Sequence, residues 1–306
     1  MTPRSSIRYR LEYAGLILFD SMLRALPARV AISLGRNAGA LAEKFFRARV
    51  RLAHENLQIV FGDSLSPAQR QDLIKKLFRM LGEGFVESVI SSPADLRKNV
   101  SVEGLEHLKK ALEKKKGVII LGPHMGMWEH ASSAFAQHVE NAASLYKPLK
   151  NPYVDAYIIR TRGQGRIELI SSKNGLRQLY QRLKKGGMVT LLFDQNAGRS
   201  GLPVPFFGKT ASTYSTPAAF ALKTGCAVVP AYTIKEPGFR HNRTILCEPF
   251  PLIRTGDTEH DIIANTRQYN AFIEDMVRRY PEQWFGWLHR RWKLPRGFAG
   301  NDKDGD

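Results

Sequence analysis

From residue 103 onward, short apolar runs rich in β-branched residues alternate with stretches of helical periodicity, and that alternation restricts the fold more than any other feature. Val118–Leu121, Ala143–Tyr146, Ile167–Ile170, Met188–Phe193, Ala227–Ile234 and Thr244–Cys247 read as strands. Between and around them, Glu103–Lys115, Met127–His138, Asn151–Arg162, Asn174–Lys185, Tyr214–Thr224 and Thr258–Tyr280 read as helices. The punctuation agrees. Asn151 is a natural N-cap with Pro152 at the first helical position, and Gly117, Gly163 and Gly186–Gly187 stop the helices before them. Short apolar strands separated by helices predict an α/β fold with a mostly parallel central sheet flanked by helices.

Residues 1–100 read as helical throughout, with a turn at Gly62–Pro67. No linker separates them from the alternating strands and helices. The expected organisation is a helical N-terminal subregion (1–100), an α/β domain (101–295) and a disordered tail (296–306). The most membrane-like stretch is LEYAGLILFDSMLRAL, residues 11–26. Its uninterrupted apolar run, Tyr13 to Phe19, is far short of the roughly 20 residues a spanning helix needs. Arg8, Glu12, Asp20 and Arg24 gather on one side of a helix, with Leu11, Ile17, Leu18, Met22 and Ala25 around the rest. An amphipathic helix is expected, packed on the domain or lying in a membrane interface. The next apolar segment, Val30 to Phe46, ends in Arg47, Arg49 and Arg51. No signal peptide is expected.

Lys and Arg number 46 against 28 Asp and Glu, a net charge of +18. That balance predicts a polyanionic partner: nucleic acid, an anionic membrane or an acidic carrier protein. The two cysteines, Cys226 and Cys247, lie in apolar runs and imply neither a disulfide framework nor a CxxC metal site.

The segment with a chemical signature is GVIILGPHMGMWEHASSAFAQH, residues 117–138. An apolar strand ends, Gly122–Pro123 breaks it, His124 stands in the turn, and a helix begins near Met127. Sites in parallel sheets form at the carboxyl ends of strands, and His124 is at such an end. Glu129 follows five residues later. On a continuous helix the two would stand roughly 140° apart, but the break and Gly126 free the histidine to fold back. A carboxylate on one ring nitrogen fixes the tautomer and leaves the other nitrogen to take a proton from a hydroxyl. HMGMWEH matches neither HExxH nor HxxEH, so a zinc site is not expected, despite His130. A structural histidine capping the helix is the plain alternative. There is no GxSxG, which points to direct attack by an activated hydroxyl rather than a covalent acyl-enzyme.

HMGMWE, residues 124–129, matches the HX4D/E motif of the lysophospholipid acyltransferase superfamily. NPYVDAYIIRTRGQG (151–165), LLFDQNAGRSGLPVPFFGKTAST (191–213), ALKTGCAVVPAY (221–232) and PEQWFGWLHRRWK (281–293) resemble its late acyltransferases of lipid A biosynthesis, the lauroyl/myristoyl transferases. The resemblance runs over about residues 10–295. It implies a glycerolipid acyltransferase-like fold at the cytoplasmic face of the bacterial inner membrane. It further implies transfer from acyl carrier protein to the hydroxyl of a 3-hydroxyacyl chain on the Kdo-bearing lipid A precursor. In such a family His124 is the general base and Glu129 its support. No cofactor is expected; acyl carrier protein, or acyl-CoA in its stead, brings the donor. Many members carry a spanning N-terminal helix; residues 11–26 are too short and charged for one, so interfacial attachment is expected.

Arg160 and Arg162 close a helix, where they complement its dipole or grip a phosphate. Asp194 and Gln195 follow the strand Met188–Phe193, on the same sheet edge as His124, to bind sugar hydroxyls, to orient an arginine, or merely to form a turn. Gly126 is a candidate oxyanion amide. Phe206 and Phe207, beside Lys209, suit an acyl-chain tunnel, a membrane contact or core packing. Trp284, Trp287 and Trp292, interleaved with Arg290, Arg291 and Lys293, suit an anionic membrane surface. The expected partners are the carrier protein, an anionic glycolipid acceptor and the membrane, without nucleic acid. The rivals are an acyltransferase for another lipid (a mannosylated phosphoinositide, a lysophospholipid or an ornithine-type lipid), a non-catalytic basic binding protein, and a thioesterase.

Overall fold

The computed structural model describes residues 3–130, 139, 142–163, 167–238 and 240–298. Five helices come first: α1 (Pro3–Ala25), α2 (Ala28–Phe45), α3 (Arg47–Phe61), α4 (Pro67–Ile90) and α5 (Pro93–Asn99). The turn expected at Gly62–Pro67 is present. Ser66 caps α4 by accepting from the Gln69 amide while the Gln69 side chain accepts from the Ser66 amide, and Pro67 starts the helix. The packing of α2 on α4 depends on glycine. A β-carbon at Gly39 would lie 2.2 Å from the Phe78 carbonyl oxygen, and one at Gly82 would lie 2.1 Å from that of Gly35. The two backbones touch only because those side chains are missing.

The α/β unit contains β1 (Val100–Glu103), α6 (Leu105–Glu113), β2 (Val118–Gly122), β3 (Ala142–Tyr146), α7 (Pro152–Gly163), β4 (Ile167–Ser171), α8 (Gly175–Lys184) and β5 (Met188–Leu192). It continues through β6 (Leu202–Phe206), β7 (Lys209–Thr213), α9 (Thr216–Thr224), β8 (Ala227–Lys235), β9 (Asn242–Leu246) and α10 (Thr258–Arg279). Seven strands form one sheet in the order β1-β9-β8-β2-β5-β3-β4. β2, β3, β4, β5 and β8 run parallel; β9 pairs antiparallel with β8 and carries β1 with it. The helix expected from Met127 opens at Trp128; its residues 131–138 lie outside the described residues, as does the tail from 299.

Central strands covered on both sides are apolar at every position. In β2, Ile119 and Leu121 face a core shared with Leu57, Leu77, Ile273 and Trp284, while Val118 and Ile120 face another with Leu108 and Ala111. The N-terminal helices α3 and α4 therefore share a core with the sheet. Two features differ from the sequence reading. Val100–Glu103 is a strand, and 202–213 forms a hairpin with Phe207 (φ +52°) and Gly208 (φ +73°) at its tip. Positive φ at both turn residues suits the twist of a tight hairpin.

Candidate active site

The sheet register builds the site. β2 and β5 are parallel neighbours with Leu121 opposite Leu191 and Gly122 opposite Leu192. Two residues further, the chains place His124 and Asp194 side by side at the carboxyl end. The His124 Nδ1 stands 2.6 Å from Asp194 Oδ1, and the His124 amide donates to Oδ2 at 3.0 Å. The Trp284 indole donates to the same Oδ2 at 2.7 Å. Asp194 is 1% exposed. Burial alone would push its carboxyl up, but the His124 ring, the Trp284 indole and the His124 amide outweigh that and hold it below the usual carboxylate range.

This corrects the expected geometry. The carboxylate on Nδ1 is Asp194, 70 residues away in sequence, and not Glu129. Glu129 sits half-buried on the first turn of the helix that opens at Trp128. Among the described residues, the hydrogen bonds of Asp194 go to His124 and Trp284.

With Nδ1–H given to Asp194, Nε2 keeps its lone pair. Gln195 Nε2 lies 3.4 Å from it and 3.4 Å from Nε2 of His289, so one side-chain amide spans two imidazoles. His289 is a site residue that the sequence reading did not single out, although it lies in the 281–293 block. Burial lowers its pKa, and the neighbouring His124 and Arg49 lower it further against the pull of Asp194. Trp128 stands edge-on to the His124 ring at 5.3 Å and Phe285 lies 6.3 Å away, giving the ring an apolar surround.

Gly126 holds this loop in shape and does not offer its amide to a substrate. Its N–H donates to the Gln283 carbonyl at 3.0 Å, and its φ of +52° suits glycine. Phe206, Trp287 and Trp292 pack inside the protein rather than on a membrane-facing surface. They are 0%, 1% and 8% exposed. Phe206 and Trp292 pack ring on ring at 5.6 Å, and the Arg291 guanidinium lies 4.6 Å over Phe206. Phe207 is half-buried, with Arg278 4.7 Å over its ring. Arg160 is exposed and lies over Tyr157; the Arg162 side chain lies outside the described residues. Arg160 does not belong to the group around His124. Burial pushes both cysteine thiols up, which disfavours the nucleophilic thiolate. Among the described residues no cluster of His, Cys, Asp or Glu could hold a metal ion.

Next to Glu129, His130 is 3% exposed and bonds Ser88 at 3.0 Å. Burial brings its pKa down to about 4, with Lys235 and Arg240 adding to the effect and Glu87 opposing it. The unfolded chain therefore takes up a proton near pH 6.5 that the folded protein refuses until about 4. Stability from this group is complete above pH 6.5 and declines by about 3 kcal/mol as pH falls through that window. Urea unfolding at neutral pH and near pH 4.5 should show a larger acid loss for wild type than for His130→Gln; equal losses would refute the assignment.

The family model described as bacterial lipid A biosynthesis acyltransferase matches residues 2–294. The lipid A biosynthesis lauroyltransferase of Escherichia coli (strain K12) is 27% identical over 296 residues, 95% of this chain and 94% of that protein. The palmitoleoyltransferase of the same organism is 29% identical over 292 residues, covering 94% and 92%. A phosphatidylinositol mannoside acyltransferase of Mycobacterium tuberculosis (strain CDC 1551 / Oshkosh) is 28% identical over 190 residues, 60% of this chain and 57% of that protein. With a family match over nearly its full length, the chain belongs to the bacterial lipid A biosynthesis acyltransferase family.

Proposed function

We propose that the protein moves a fatty acyl chain from acyl carrier protein to a hydroxyl of a lipid A precursor, with His124 as general base. The observation that carries this is the His124 ring, tied through Nδ1 to a buried carboxylate with its Nε2 lone pair left for chemistry. Nε2 takes the proton of the acceptor hydroxyl, and the oxygen attacks the thioester carbonyl carbon. The tetrahedral intermediate collapses, the C–S bond breaks, and the imidazolium returns its proton to the departing thiolate. Asp194 steadies the imidazolium while it exists. Glu129, at the start of the next helix, acts as the second carboxylate of the site. The Gln195 amide, 3.4 Å from Nε2, donates to an oxygen of the reacting group.

The +18 charge suits an acidic carrier, a phosphorylated lipid and an anionic membrane together. Among the described residues no helix is long and apolar enough to cross a membrane. α1 and α2 expose Leu11, Leu18, Met22, Leu34 and Phe45 at 51–75%. We read these helices as a surface attachment to the cytoplasmic face of the inner membrane. Leu18→Asp with Met22→Asp should release the protein from anionic vesicles in a flotation assay; unchanged flotation would argue against that attachment.

The function is tested by mass spectrometry after incubation with lauroyl-, myristoyl- and palmitoyl-carrier protein and the Kdo-bearing lipid A precursor. The expected result is a gain of one acyl group, reduced roughly 10²- to 10⁴-fold in His124→Ala. Transfer only to a mannosylated phosphoinositide would shift the acceptor towards that of the mycobacterial relatives. Free fatty acid released at full rate without any acceptor would make the protein a thioesterase.

A further inference from the structure

Beside the His124 ring, a cleft of ≈ 580 Å³ opens between the start of α3, the loop after β5 and the segment after Leu288. Its wall includes Gln195 and His289, and the Gln195 side chain reaches to 3.4 Å from Nε2 of His124, so the cleft lies one side chain from the reacting nitrogen. Its charged wall is cationic, Arg49, Arg290 and Lys293 beside Asn196, and no carboxylate is among the described lining residues. No ion pair to any of these three occurs among the described residues, although other surface arginines, such as Arg278 and Arg279, have an acidic partner one turn away.

The cleft is also built to keep its shape. The Asn196 side-chain amide donates to the carbonyls of Arg290, Arg291 and Lys293 at 3.1, 3.2 and 2.8 Å, and its oxygen accepts from the Gly198 amide at 2.7 Å. Arg291 turns inward and is fully buried, bonded to Ser212 and Thr213. Its neighbours Arg290 and Lys293 are thereby directed outward into the cleft. Arg49 is fixed from the far side by its bond to the Leu288 carbonyl at 3.0 Å. One guanidinium fixed by a carbonyl and two further cations on a backbone that Asn196 holds, around a concavity beside a catalytic ring and without an ion pair among the described residues, match a phosphate, whose oxygens take guanidinium forks. The volume is that of a small-molecule pocket and leaves room for the group that carries the phosphate.

We propose that this cleft is the phosphate subsite of the enzyme, with Arg49, Arg290 and Lys293 holding a phosphate ester while the group it is attached to presents its reacting atom to His124. The assignment rests on the acyl-transfer reading for its source. The phosphate belongs either to the acceptor headgroup or to the phosphopantetheine arm of the donor. Arg160, exposed on α7, is not part of it.

The first test needs no turnover. Binding of glucose 1-phosphate to the full chain is followed by phosphorus NMR, with glucose by calorimetry as the uncharged control. Wild type and His124→Ala should bind the sugar phosphate and not glucose. Arg290→Gln with Lys293→Gln should weaken binding by about tenfold or more, the loss of a charged contact. The charge-keeping pair Arg290→Lys with Lys293→Arg, with an unchanged melting temperature, should retain most of it. Equal binding by wild type and the Gln pair, or no phosphate-dependent binding by wild type, would overturn the subsite. Because this readout is independent of acyl transfer, it stands even if the lipid acceptor proves to be a different one. The second test assigns the source by steady-state kinetics of the Gln pair. A raised KM for the lipid with that for the acyl carrier unchanged gives the phosphate to the acceptor, and the reverse gives it to the donor. Neither KM moving would overturn the proposal.

Discussion

Asp194→Asn should lower kcat for acyl transfer by roughly 10²- to 10⁴-fold, with little change in KM. Asparagine has nearly the same shape, so the loop geometry survives, but two things are lost. The neutral amide cannot balance the imidazolium that forms when Nε2 takes the acceptor proton. The Asp194 oxygens also accept from three donors, the His124 ring, the His124 amide and the Trp284 indole. An asparagine amide group must point its own hydrogens at one of them. Either it faces His124 Nδ1 and forces the ring into the tautomer with a protonated Nε2, or it takes the place of Oδ2 and leaves both the indole and the backbone amide without an acceptor. The second outcome costs about 1–3 kcal/mol of stability for a buried group. Trp284→Phe separates the two effects. It removes one donor while the His124–Asp194 contact remains, so it should lose stability and keep most of kcat. If Asp194→Asn turns over within a few-fold of wild type, Asp194 is not the group that orients His124.

Gly126→Ala is expected to be the most damaging single methyl addition near the site. At φ +52° an alanine is strained by roughly 1–3 kcal/mol. Here the β-carbon would also meet the Thr233 carbonyl oxygen at 2.4 Å and the Ile234 α-carbon at 3.0 Å, both backbone atoms that cannot swing away. The segment is pinned on its other side as well. The Gly126 amide bonds the Gln283 carbonyl at 3.0 Å, and the Phe285 amide bonds the His124 carbonyl at 2.9 Å. The clash must therefore displace His124 itself, giving a loss of about 3 kcal/mol or more in urea unfolding and a loss of activity beyond what the stability change explains. Gly208→Ala is the control. Its φ is +73° but nothing lies within 4 Å of the added carbon, so only the conformational cost of about 1 kcal/mol remains. Equal effects at the two positions would mean that the close approach to Thr233 has no energetic weight.

The strands were legible because strands buried on both faces are apolar at every position, as Val118–Leu121 and Met188–Phe193 show. His124 was legible because Gly122–Pro123 ends such a strand at the edge where sites form. Its partner was not. Nothing local links residue 124 to residue 194; the link exists only once β5 is known to lie beside β2 in parallel register, and strand order is a property of the whole sheet. Glu129 was the carboxylate within reach along the chain, and proximity in sequence stood in for proximity in space. The same limit explains Phe206, Trp287 and Trp292. Aromatics interleaved with Arg290, Arg291 and Lys293 suggest a membrane surface. In the fold the segment turns so that Trp292 and Arg291 point inward against the hairpin and Trp287 packs on Phe61 and Trp284, while Arg290 and Lys293 reach solvent. Gly126 looked like an oxyanion amide because it follows the histidine, and only the approach of Gln283 from the far end of the chain reveals that its N–H is already engaged.

The central claim is that Asp194 takes the Nδ1 proton of His124 and leaves Nε2 as the base. Nitrogen NMR of protein labelled at histidine tests it most directly, with His124→Ala used to identify the resonances. At about pH 8, above the ordinary histidine range, Nδ1 of His124 should carry the proton and Nε2 should have the shift of a bare ring nitrogen. Asp194→Asn should abolish that preference. A His124 ring protonated on Nε2 in the wild-type protein, or one whose tautomer is indifferent to Asp194→Asn, would contradict the account.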